Sequence, residues 1–123
     1  MSSIIPSRNP EIPPRFNAAL ERLDGSVELL RGMAEIFVED LPPVMSEFDA
    51  MLGQHDQLPL LARIAHKLKG MVVTFDNEVA GPLLEEMVGA ARREDVEQVQ
   101  ILAPQVHAEV NQLYRHVVRL TKV

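Results

Sequence analysis

From Phe16 to the C-terminus, apolar residues recur at intervals of three and four, with no sustained alternation of two. That spacing builds helices with one buried face, whereas a half-buried strand would alternate. An all-α fold is therefore predicted. A short first helix covers about 16–23 and stops at Asp24-Gly25, a suitable C-terminal turn. Ser26 follows as an N-cap. Leu29, Leu30, Met33, Phe37, Leu41, Val44, Phe48, Met51 and Leu52 trace one face of a second helix ending near 52. Pro42-Pro43 falls inside it, and a proline within a helix costs ~3 kcal/mol or more, so a kink or break is expected there.

Gly53 to Asp56 reads as a turn, and Pro59 suits the first turn of a third helix over about 58–74. Asp76-Asn77 makes the next turn, and Gly81-Pro82 opens or bends a fourth helix ending near Arg93. Asp95 with Gln98 resembles a capping box ahead of a last helix. That helix repeats Val99, Leu102, Val106, Val110, Leu113, Val117 and Leu120, with Pro104 bending it early. Connections of a few residues make neighbouring helices antiparallel. The expected architecture is an up-down antiparallel four-helix bundle with a short additional N-terminal helix, over residues 15–123. Residues 1–14, with Pro6, Pro10, Pro13 and Pro14, read as an extended, partly disordered arm.

A length of 123 residues suits a single domain. The absence of cysteine excludes disulfides, thiolate metal sites and Cys nucleophiles. No apolar run approaches the ~20 residues of a membrane span. No basic segment leads into an apolar one at Met1-Ser2-Ser3-Ile4-Ile5-Pro6, so no signal peptide is expected. A cytoplasmic monomer is the expectation. A net charge of −6 argues against a general nucleic-acid binder, which needs excess Lys and Arg.

The charge is unevenly spread. Residues 1–60 carry four Arg against ten acids and residues 75–123 five basic groups against eight acids. Residues 57–74 carry Arg63, Lys67 and Lys69 with no acid, and His66 sits among them. At about 100° per residue, Leu61, Ile64, Leu68, Val72 and Phe75 all fall on the side away from His66 and form the core stripe. His66 therefore faces water. Beside it lie Val73, about 20° off, Ala62 and Gly70, about 40° off, and Lys69, about 60° off, with Arg63 on the other flank. Small neighbours leave room for another molecule to reach the ring. Gly70 costs its helix ~1 kcal/mol relative to Ala, which points to a use beyond propensity. A neutral imidazole nitrogen is a nucleophile near neutral pH. Cations nearby disfavour imidazolium and attract an anionic group once it has transferred. The arrangement suits phosphoryl acceptance; an exposed, idle histidine is the plainer reading of the same geometry.

The run Ala65-His66-Lys67-Leu68-Lys69-Gly70 resembles the His-x-Leu-Lys-Gly signature of histidine-containing phosphotransfer (HPt) domains. The resemblance spans about residues 16–120. Leu23-Asp24-Gly25-Ser26 with Glu28-Leu29-Leu30 and Phe37 is similar to the family's second-helix opening. Phe75 stands at a frequent apolar position, and Glu86, Ala90-Ala91-Arg92 and Asp95 match the fourth helix and the turn after it. The resemblance implies that His66 takes a phosphoryl group from a receiver-domain aspartate and passes it to another receiver. It implies that Lys69 pairs with the phosphoryl oxygens and Gly70 allows approach. Ala62, Arg63, Lys67 and Val73 would meet the partner. The partners implied are receiver domains of response regulators or hybrid sensor kinases. Mg²⁺ would reside on the receiver and no cofactor on this chain, which acts as a phosphotransfer intermediate and not as an autonomous kinase. The chain departs from the pattern at Val73 and Asp76, where many members carry Gly, and at bulky Met71.

Three other readings compete. A sensor-kinase dimerisation helix usually follows its His with an acid, but Lys67 stands here. A di-iron bundle needs inward Glu-x-x-His motifs, which the sequence lacks. His55 falls in a turn, and His107 and His116 lie about 180° apart on one helix, so no metal is assigned to them. An HPt-like module that docks a receiver or another signalling protein without accepting phosphate is the closest rival.

Overall fold

The structure, a computed structural model, describes residues 11–123. The predicted arm lies outside the described residues as far as position 10. Its last residues belong to the folded domain: Ile12 is buried in the core, and Pro14–Phe16 form a 3-10 turn that buries Phe16 completely. An apolar side chain in an otherwise polar, proline-rich segment gives that segment something to bury. The helices are α1 (Asn17–Arg22), α2 (Val27–Leu52), α3 (Leu58–Val72), α4 (Ala80–Arg92) and α5 (Val96–Leu120). The described residues include no strand.

The helix ends follow local chemistry. Asp24 and Gly25 take positive φ values of 54° and 77°, which stops α1. The Leu29 N–H donates to Ser26 Oγ at 3.1 Å and starts α2. The Gln98 N–H donates to Asp95 Oδ1 at 3.1 Å and starts α5. Pro59 occupies the first turn of α3, where its missing N–H has no partner to lose. α3 ends two residues earlier than the spacing predicts, because the Phe75 and Asp76 N–H groups both turn back to the Val72 carbonyl.

The four longer helices form a ring. Across α2 and α5, Arg31 meets the carbonyl of Val123, Tyr114 that of Val38, and Asp49 meets His107. One residue number rises as the other falls, so these helices are antiparallel. Lys69 with Glu85, and Val73 beside Gly81, set the same sense for α3 and α4. The result is an all-α bundle with a short N-terminal helix laid across one end.

The break expected at Pro42-Pro43 does not occur, and α2 runs through both prolines. Both residues are exposed, while Leu41, Val44 and Met45 around them are buried. The ring crowding therefore falls on the solvent side of α2, where helices wrapped on a core have slack in their backbone hydrogen bonds. The Val38 carbonyl, four residues before Pro42, receives the Tyr114 hydroxyl at 3.5 Å. α5 likewise continues through Pro104.

The N-terminal turn is tied down by Arg15. Its guanidinium donates to His116 Nδ1 at 2.7 Å and to Asp76 Oδ2 at 3.2 Å. Arginine offers only donors, so Nδ1 accepts and His116 is neutral in this contact. Burial, then the charges of Arg15, Arg119 and Arg115, hold its pKa below the ordinary 6.5. The unfolded chain consequently binds a proton that the folded chain does not, so stability falls as pH drops below 6.5. Urea midpoints at pH 7.5 and 5.5 should show this loss in the native protein and a smaller one in His116→Gln.

Candidate functional site

His66 is exposed on α3, opposite the buried stripe of Leu61, Ile64, Leu68 and Val72. Its ring forms no hydrogen bond or ion pair with the described residues. Arg63, Lys67 and Gly70 are exposed beside it, as the helical spacing predicts. A Cβ added at Gly70 would meet nothing within 4 Å, so the space above that turn is open.

The flank toward α4 differs from the expectation. Ala62, assigned to the exposed face, is only 4% exposed. It lies on the flank of α3 toward α4, with Lys69 and Val73, and its own side chain is closed off from solvent there. Val73 is half-buried, with Cγ1 directed at Gly81. A Cβ at Gly81 would come within 3.0 Å of that methyl and 3.3 Å of the Asp76 carbonyl, so glycine is what lets α4 approach. Only part of the Val73 side chain is left outside.

Lys69 is half-buried and engaged. Its Nζ donates to Glu85 Oε1, on α4, at 2.7 Å. The hydrogen bond and charge of Lys69 hold the Glu85 carboxyl below its usual range; Arg92 and His66 act in the same direction, and slight desolvation opposes them. The positive island of the linear sequence is thus partly compensated in the fold. Glu85 and Arg92 are the site neighbours that sequence reasoning missed, because sixteen residues and a helix reversal separate Lys69 from Glu85. The one available signal was helical register, which turns Glu85 and Arg92 about 20° apart on α4.

Asp76, where the HPt pattern that the sequence resembles often has Gly, has a structural role. Its carboxylate accepts from the backbone N–H groups of Glu78, Val79 and Ala80 at 3.0, 2.9 and 3.2 Å, and so opens α4. Met71 lines a groove of about 210 Å³ between α2 and α3, with Met33, Ile36, Asp40, Gly70 and Phe75 among its walls. Ile36 is 63% exposed at its rim. The groove runs beside Gly70 and gives the imidazole face an apolar border.

The other histidines take part in helix contacts. His107 Nε2 lies 2.6 Å from Asp49 Oδ1, and His55 approaches Gln100 at 3.5 Å. Among the described residues no helix is long and apolar enough to cross a membrane.

Gly70 gives a sharp test of the open face. Gly70→Ala replaces a glycine in the last turn of α3 with no steric conflict inside the chain, so it should stabilise the fold by up to about 0.5 kcal/mol. A urea titration measures that gain.

Comparison with known proteins finds no matching family model, no matching curated protein and no matching solved structure.

Proposed function

We propose that the chain is a histidine phosphotransfer protein of a multistep two-component relay. The observation that carries this reading is an exposed His66, without a hydrogen-bond or ion-pair partner among the described residues, with an ammonium one turn away and open space over Gly70. The His-x-Leu-Lys-Gly resemblance supplies the chemistry. The lone pair of the unprotonated ring nitrogen attacks the phosphorus of a receiver's aspartyl phosphate. The new N–P bond forms as the P–O bond to the aspartyl oxygen breaks. That electron pair leaves with the carboxylate, and the proton stays on the second ring nitrogen. Nothing is oxidised or reduced, and the reverse step passes the group to another receiver.

The other residues take supporting parts. Lys69 neutralises the transferred oxygens, which a charge-assisted hydrogen bond does best. Gly70 keeps the approach clear. Arg63 and Lys67, both exposed, would face an acidic receiver pocket and favour encounter. Mg²⁺ and the orienting groups come with the receiver.

A second reading, a docking module that accepts no phosphate, is favoured by the Lys69–Glu85 pair and the apolar groove beside Gly70. Mixing the protein with labelled phospho-receivers separates the two. The relay reading expects acid-labile label on the native chain, with slower transfer or a shorter phosphohistidine lifetime in Lys69→Ala. Binding without label would support the docking module.

A further inference from the structure

We infer that Glu85 is a positioning residue: it holds Lys69 in the resting protein and yields it when a phosphoryl group is on His66. This inference rests on the phosphotransfer reading above. The Lys69–Glu85 contact is short, 2.7 Å, but open to water, with side chains 33% and 58% exposed. Exposed pairs of this kind are weak and exchange readily. A carboxylate offers the ammonium one negative charge, whereas a phosphoryl group offers close to two, spread over three acceptor oxygens. The phosphoryl group on His66 is therefore the stronger partner for Lys69.

Two features make the exchange workable. Lys69 lies about 60° around α3 from His66 on the side facing α4, so one flexible stem serves both acceptors. Arg92 stands two turns along α4 from Glu85 and already attracts its carboxylate. When Lys69 leaves, Glu85 still feels the Arg92 charge two turns away. Glu85 thus competes with the transferred group for its main counter-charge and sets how easily that group departs.

The test compares phosphohistidine lifetimes after chemical phosphorylation with phosphoramidate, for the native protein, E85Q, K69A and the double variant E85Q/K69A. Glutamine keeps an acceptor for Lys69 and removes the charge. E85Q should lengthen the lifetime about two- to fivefold, the span an exposed ion pair supports. In the K69A background the same substitution should change nothing. An unaltered lifetime in E85Q overturns the inference and leaves the relay reading standing. So does a gain that persists without Lys69, since Glu85 would then act by direct repulsion. Absence of phosphohistidine in the native protein overturns both.

Discussion

Phe75→Ala is expected to cost about 3–5 kcal/mol of stability, the range for truncating a buried phenylalanine. Phe75 is 4% exposed and sits in the turn that follows α3. It meets Phe16 edge-on, with centroids 6.1 Å apart, and Phe37 at 5.2 Å. One ring therefore joins the N-terminal turn, α2 and the end of α3. Removing it deletes burial and two aromatic pairs worth about 0.5–1.5 kcal/mol each beyond their area. It also leaves a cavity under the groove beside Gly70, because Phe75 forms part of that wall. Urea unfolding should show the loss, and Phe75→Leu should recover much of it. A loss below about 1 kcal/mol would mean that the three elements are not held by this ring.

Asp76→Ala is expected to cost about 2–3 kcal/mol, combining a lost cap with a lost ion pair. The carboxylate accepts three backbone N–H groups at the start of α4 and pairs with Arg15 at 3.2 Å, with its own side chain 9% exposed. Burial pushes its pKa up. The N–H groups of Val79, Glu78 and Ala80 and the Arg15 charge outweigh burial and leave the pKa below the ordinary 3.8. A carboxyl with a depressed folded pKa stabilises above its unfolded value, and that stabilisation is lost as pH falls through the folded one. The native protein should therefore lose a component of stability below pH 3.8 that Asp76→Ala lacks. Asp76→Asn should retain part of the cap but not the charge, and fall between the two in a urea titration. Equal stability of native and Asp76→Ala proteins would remove this residue from the account of how α4 starts.

Most of the fold was legible because it depends on local patterns. Ser26 and Asp95 cap where their side chains suggest, and the repeats of α5 are all buried. The exposure of His66 followed from the same rotation rule. What was not legible depends on contacts between distant segments. Pro42 and Pro43 interrupt backbone donors, but their cost is absorbed on the solvent side of a helix whose other face is packed. Ala62 lies close to His66 in angle, yet a helical wheel does not tell which flank a neighbouring helix will cover. Lys69 looked free because its partner lies on α4. Ile12 joined the core from a segment whose proline content suggested none would.

The proposed relay role requires that His66 take a phosphoryl group on a ring nitrogen. Phosphorus-31 NMR of the native protein and His66→Gln, each incubated with a phosphorylated receiver, tests it most directly. A phosphohistidine resonance is expected in the native sample and none in the variant, with unchanged helix content. A native spectrum without that resonance, or the same resonance in both samples, would contradict it.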